Sequence, residues 1–313
     1  MPSPLRATTT PGSLVVVGVG IAGIPHTTIE SEAYIRRADS VHYLVLDAIT
    51  DVWLRSLNAA ARSLRDLYGT DTPRRLTYRR MAARIVADVR AGRHVCAVFY
   101  GHPGVFVMPA ATAVRAVRKA GLPARMVPGI SADACLYADL GVDPGLNGVQ
   151  SFEATDFLLY RRRVDPTSAL LLWQIGVLGE IKSRDPDEPF DAKRMQVLIQ
   201  RLRRDYPARH RVTVYVAAAF PGRPPSVTRV ALAHLGRAAI PPIATLYVPP
   251  LPRRAPDPRI LAWLKESPGR TGTVAGDPSN APSRDRSPGS QQPDSGSRAN
   301  RGHRTPSGNI SRR

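Results

Sequence analysis

Cysteine is nearly absent from this chain, with two residues, Cys96 and Cys135, among 313. Both lie in apolar runs and have no metal-ligand spacing, so two buried thiols in a reducing compartment are expected. Long hydrophobic runs are missing too. No apolar stretch approaches the roughly 18–20 residues that cross a bilayer, and the opening MPSPLRATTTPGS has no apolar signal-peptide core. A soluble, cytoplasmic protein without a membrane partner is the expectation. Aromatic residues make up only 6% of the chain, ten of them tyrosines. Negative charge is also scarce: 25 Asp and Glu face 44 Lys and Arg, a formal net charge of +19. Such a balance attracts RNA, acidic peptides and anionic surfaces without specificity. Eight arginines against three aspartates from Pro268 onward account for +5 of it. The remainder reads as solvated helix faces rather than a dedicated groove for nucleic acid.

What is present is organised around Val98-Phe99-Tyr100-Gly101-His102-Pro103-Gly104-Val105-Phe106-Val107. An apolar strand pattern over 94–99 ends in Gly-His-Pro-Gly and passes into a helical pattern over about 107–121. Glycine permits positive φ and close backbone approach, and proline fixes φ and removes a donor, so a tight turn is predicted. Open α/β sheets place ligands at turns of this kind, beyond the carboxyl ends of their strands. Tyr100 and His102 flank the first glycine and are expected at the rim of that crevice.

Upstream, SLVVVG (13–18) reads as a buried strand, followed by Gly18-Val19-Gly20-Ile21-Ala22-Gly23, a helical pattern over 29–38 and a second strand over 41–46. The spelling G-x-G-x-x-G is weak by itself, and Asp47 stands where a dinucleotide site would want its acidic residue, so that ligand stays open. Trp53, Leu54 and Leu57 mark an amphipathic helix. Residues 66–78 read as a loop, with a helix beginning at Tyr78 and carried by Met81, Ile85 and Val89.

Downstream, 122–127 is a strand, and Pro128-Gly129-Ile130-Ser131-Ala132-Asp133 opens a helix to Leu140, with Ser131 as N-cap and a helix start suited to a carboxylate. A loop over 141–148 leads to a second half that begins at Val149. There, strands are expected over 168–175 (with Gln174 near the end), 213–218 and 244–248, and an amphipathic helix over 192–206. Residues 183–191 form a charged insertion, and one short helix is expected over 260–264. The division is a flexible N-terminus (1–12), two α/β lobes (13–145 and 146–252), a short helical extension (253–267) and a disordered basic tail (268–313).

The segments YGHPGVF (100–106) and VPGIS-A (127–132) resemble two signatures of the tetrapyrrole (precorrin-type) methylase superfamily, in which many members carry an acidic residue at the position of His102. The Tyr-Gly-His-Pro-Gly-Val-Phe version is more similar to the borosin peptide α-N-methyltransferases, and the likeness runs over roughly residues 13–250. It implies a two-lobed α/β fold with S-adenosylmethionine in the cleft between the lobes. The cofactor contacts it implies are Tyr100, His102, Val105, Phe106, Ser131, Ala132, Gln174, Tyr215, Ala217, Ala244 and Thr245. Gln174 would offer its amide to adenine or to the cofactor carboxylate.

Borosin enzymes also carry a Tyr…Arg…Tyr set that this chain resembles at Tyr68, Arg74 and Tyr78, with Tyr100 as a further phenol. Family spacing selects Arg74 and the adjacency of Arg and Leu selects Arg75; Arg74 takes the role here. The chemistry suits them. An amide N–H is a very weak acid and a poor nucleophile, so its proton must leave as the methyl arrives. A tyrosinate stabilised by a guanidinium can take that proton, and the guanidinium can hold the developing imidate oxygen. The loop is shorter than the family's, and only Tyr68 precedes the arginines. The resemblance further implies a homodimer and a ribosomally made precursor peptide as substrate. Some relatives carry that peptide as a C-terminal extension, but residues 268–313 hold no Val/Ile-rich core. A separate precursor in trans, in a heteromeric complex or in passing, is the expected partner. The alternatives are a small-molecule tetrapyrrole or corrinoid methylase and an RNA-directed methylase of the same superfamily.

Overall fold

The computed structural model describes residues 11–69, 72–180, 191–220 and 222–266. Two compact units divide the chain, Met1–Ala255 and Pro256–Arg313. The first strand of the larger unit, β1 (Ser13–Gly18), is followed by α1 (Ile29–Arg37), β2 (Ser40–Leu44), α2 (Ala48–Leu57), β3 (Ala61–Ser63), α3 (Arg74–Arg90), β4 (His94–Phe99), α4 (Met108–Lys119) and β5 (Ala124–Met126). The five strands form a parallel sheet in the order β3-β2-β4-β1-β5. β1 and β4 lie side by side in its middle, and the chain leaves them in opposite directions, toward β2 and toward β5. Their valine-rich runs are buried on both faces, as a sheet covered by helices requires. α3 supplies Met81, Ala82, Ile85, Val86 and Val89 to one side of the sheet, and α4 adds Ala110, Ala113, Val114 and Val117.

After α5 (Ala132–Leu140) and the single turn α6 (Pro144–Asn147), a second sheet forms from β6 (Val149–Glu153), β7 (Ala169–Trp173), β8 (Arg211–Val216), β9 (Ser226–Ala231) and β10 (Thr245–Val248). Its order is β6-β7-β10-β8-β9. Only β6 and β7 pair in parallel; the other neighbours are antiparallel. Between them, α7 (Ala154–Leu159) and α8 (Ala192–Leu202) close one face, α8 through Met195, Leu198, Ile199 and Leu202. The smaller unit contributes α9 (Pro258–Glu266).

Several expectations move. α3 begins at Arg74 rather than Tyr78, because Pro73 supplies the fixed φ of a helix start and its carbonyl accepts from Leu76 N and Thr77 N. β3 and β9 are edge strands that no apolar run announced, and the loop over 141–148 contains α6. The helix expected over 192–206 ends at Leu202. Cys96 is buried, but Cys135 is only partly so. The insertion over 183–190 and the tail over 268–313 lie outside the described residues. Asp47 accepts from Thr50 N at 2.7 Å as the N-cap of α2, so the carboxylate a dinucleotide site would use is spent on a helix end.

Away from the strands' carboxyl ends, buried His42 pairs with half-buried Asp88, with Nε2 2.9 Å from Oδ2. Ser40 Oγ donates to the same oxygen at 2.7 Å, and Arg93 donates to the other. Burial pushes the His42 imidazole below its ordinary value of about 6.5, against the pull of Asp88. Burial opposes ionisation of Asp88, yet hydrogen bonds from Ser40, Arg93 and His42 outweigh it and hold the carboxyl below the usual range. Both groups therefore contribute stability that is present at neutral pH and lost on acidification, His42 first, as pH falls from about 6.5 through its folded value. His42→Gln should flatten the fall in melting temperature between about pH 7 and 5, followed by calorimetry. A slope equal to that of the wild type would refute this.

Candidate functional site

At the carboxyl edge of the parallel sheet, the loops after β1, β4 and β5 are drawn into backbone contact. Gly101 N donates to Gly20 O at 2.8 Å, and Gly20 N returns a bond to Gly101 O at 3.3 Å. A Cβ on Gly18 would lie 2.2 Å from Gly101 O, and one on Gly129 would lie 2.6 Å from that oxygen and 2.9 Å from Gly18 Cα. Only glycine permits such an approach. His102 Nδ1 accepts from Gly104 N at 2.9 Å, which ties the turn back on itself.

Two adjoining cavities open above this edge, of about 450 and 280 Å³, sharing Ile21, Val45, Leu46, Tyr100, Ala132, Ile243 and Thr245. The first sheet contributes the loops after β1, β2, β4 and β5. The second contributes the ends of β7 and β8 and the start of β10, which its antiparallel pairing brings to the same edge. Of the expected cofactor residues, Tyr100, His102, Val105, Phe106, Ser131, Ala132, Gln174 and Thr245 line the larger cavity. Tyr215 and Ala217 line the smaller, where the Tyr215 hydroxyl donates to Asp139 Oδ2 at 2.6 Å. Ala244 lines neither. It is fully buried, and its backbone is spent on Pro241 O and Ile175 N. Ser131 occupies the N-cap position of α5 but does not cap it, because its hydroxyl donates to the Asp133 carboxylate instead.

Tyr68, Tyr78 and Tyr100 all line the larger cavity. Although Tyr68 keeps 38% of its surface exposed, its phenol is pushed above the usual tyrosine range, first by burial of the hydroxyl and then by Tyr78 beside it. Arg74 and Arg65 pull the other way and are outweighed. Burial, with Tyr78 adding to it, likewise raises Tyr100. The expected guanidinium-lowered phenol is therefore not found at Tyr68 or Tyr100.

Arg74 does not line the cavity; its Nη2 donates to the carbonyl of Glu180 in the second lobe. Arg75 is exposed. The guanidinium that does line the cavity is Arg65, held by Nη2 bonds to Val45 O at 2.9 Å and Leu46 O at 3.2 Å. Sequence reasoning passed over Arg65. The turn of Arg65–Leu67, in which Tyr68 N donates to Arg65 O at 3.1 Å, is what joins it to the phenols. Ile243 and Trp173 were missed because apolar residues at strand ends carry no motif.

The family model for tetrapyrrole (corrin/porphyrin) methylases matches residues 13–223. A methyltransferase/ribosomally synthesized type I borosin cyclic peptide precursor of Coprinopsis marcescibilis is 40% identical over 76% of this chain and 62% of that protein. The corresponding omphalotin A precursor protein of Omphalotus olearius is 37% identical, over 81% and 61%. The chain thus spans less than two thirds of the length of these curated relatives. Among solved structures, uroporphyrin-III-C-methyltransferase from Thermus thermophilus shares the fold at 22% identity and a TM-score of 0.55, covering 77% of this chain and 93% of its own.

The glycine contacts make a sharp expectation. Gly129→Ala places a methyl against Gly101 O and Gly18 Cα, backbone atoms that move only if the loops part. It should destabilise the protein by about 1–3 kcal/mol in urea unfolding, as overpacking does. An unchanged midpoint would show that the loops separate freely.

Proposed function

Because the chain belongs to the tetrapyrrole (corrin/porphyrin) methylase family, we propose that its cleft binds S-adenosylmethionine and that the protein N-methylates backbone amides of a separate precursor peptide. The residues present suit the cofactor. Ile21, Val45, Ile243 and Ala132 offer apolar surface, and Gln174 and Thr245 offer polar atoms. When bound, S-adenosylmethionine supplies an electrophilic methyl group; everything else falls to the protein.

The observation that carries the peptide reading is the cluster of three phenols lining one cavity, with Tyr78 acting on both Tyr68 and Tyr100. Carbon methylation of a tetrapyrrole has no need of several phenols, whereas an amide has a proton to lose. In this reading Tyr78 receives the amide proton as its phenolate, while the Tyr68 and Tyr100 hydroxyls stay protonated and donate to the charge that forms. Arg65, the guanidinium on the cavity wall, stabilises the imidate oxygen. Arg74 positions the loop by reaching across to Glu180. The relatives' names join a methyltransferase and a peptide precursor.

Titration calorimetry with S-adenosylmethionine tests the cofactor, and its failure to bind would sink the reading at its base. Mass spectrometry then tests the substrate. A valine- and isoleucine-rich peptide should gain the mass of one methylene per transfer, and the chain itself should gain none; a gain on the chain would mean a substrate in cis. Tyr78→Phe removes one hydroxyl, so turnover should fall about 10²–10⁴-fold with cofactor affinity unchanged.

The pH profile is a separate check. Burial keeps Tyr68 and Tyr100 protonated beyond the ordinary tyrosine value of about 10, so neighbouring phenols stay neutral donors and do not repel a phenolate at Tyr78. A phenolate base requires initial rates that climb with pH, and a rate independent of pH would exclude it.

A further inference from the structure

Phe106 and Trp173 meet across the cleft, one from each lobe, with ring centroids 5.3 Å apart and planes tilted by 54°. Both line the larger cavity. Ordinary core packing does not account for Phe106, which is 49% exposed and stands at a φ of +56°. That left-handed region disfavours bulky residues. On the other side, Trp173 Nε1 donates to Ser151 Oγ, and the next residue, Gln174, has a φ of +58°. Two of the three described non-glycine residues with positive φ therefore sit at or beside an aromatic ring that faces the same cavity. Strain of this kind survives where the surrounding structure imposes it, and it gathers at ligand sites.

Among the described residues, Arg65 is the one charged side chain that lines that cavity; Asp47 lines only the adjoining one, where it accepts from Thr50 N. A cationic ligand in the larger cavity therefore meets no carboxylate on its walls. The negative faces of aromatic rings are the remaining counterpart, and they suit a cation that has no N–H to donate. We infer that Phe106 and Trp173 form the seat of the cofactor's sulfonium, and so make the site prefer the charged methyl donor over its neutral demethylated product. This rests on the reading of the cleft as an S-adenosylmethionine site. The two ligands share an adenosine and an amino-acid end, so a pair of rings that senses only charge and the methyl group separates donor from product. Product release follows from the same contact, because loss of the positive charge removes the attraction.

Calorimetry with S-adenosylmethionine and with S-adenosylhomocysteine, on the full chain without peptide, tests this. Phe106→Leu keeps an apolar side chain on the same backbone and removes the ring face. It should lower the preference for the donor by about three- to thirty-fold, through weaker donor binding with product binding nearly unchanged. Phe106→Tyr should keep the preference. Trp173→Phe, which retains a ring in a more buried position, should reduce it less than Phe106→Leu does. Melting curves confirm that each variant is folded. If Phe106→Leu weakens both ligands equally, or neither, the rings only pack and the proposal is overturned. If the wild type binds neither ligand, the cleft reading itself has failed, and the proposal falls with it.

Discussion

The cleft depends on three glycines that let backbone touch backbone. Gly18 ends β1, and Gly101 and Gly129 follow β4 and β5; a Cβ on Gly18 or Gly129 would collide with the Gly101 carbonyl, and Gly101 itself turns at a φ of +71°. This contact decides where the loops point. With Gly101 and Gly20 bridged by hydrogen bonds, the chain after β4 must run up and over the sheet edge, carrying Tyr100, His102, Val105 and Phe106 with it. Four candidate ligand positions thus follow from one steric constraint, and a methyl group placed at the wrong glycine would move them all.

A second constraint is the mixed pairing of the other sheet. A parallel sheet delivers the carboxyl ends of all its strands to one edge. The second sheet reaches that edge differently: β10 runs against β7 and β8, so its first residue, Thr245, stands beside their last ones. The cleft is lined in this way by the ends of two strands and the start of a third. Ala244, one residue earlier, is already inside the core. A single step along an extended chain turns the side chain to the other face.

Electrostatics within the cleft run against the character of the whole molecule. The chain is strongly basic, yet burial raises the Tyr68 and Tyr100 phenols, at Tyr68 against the pull of two arginines. Desolvation disfavours the charged form of a phenol, and a guanidinium that is also bonded to carbonyls compensates only part of that. Arg65 and Arg74 are both anchored in this way, one on the loop after β2 and one on the opposite lobe. These bonds fix both guanidinium groups in place near Tyr68.

The sequence by itself determined the alternation of strands and helices through most of the first lobe, because fully buried valine runs and an i, i+4 apolar stripe leave little choice of partner surface. It also determined the turn at 100–104, since Gly-His-Pro-Gly admits few backbone paths, and most of the residues around it. Local patterns failed where the deciding contact lies far along the chain. β3 and β9 are short or mixed in polarity and become strands only by pairing with β2 and β8. Ser131 looks like a cap, but the Asp133 carboxylate competes for its hydroxyl. Which arginine lines the cavity was not legible either. The family resemblance pointed to Arg74, whose side chain reaches Glu180 O and still acts on the Tyr68 phenol, whereas Arg65 stands on the cavity wall. A guanidinium on a long flexible stem goes wherever carbonyl oxygens are left unsatisfied, and only the folded chain decides where those are.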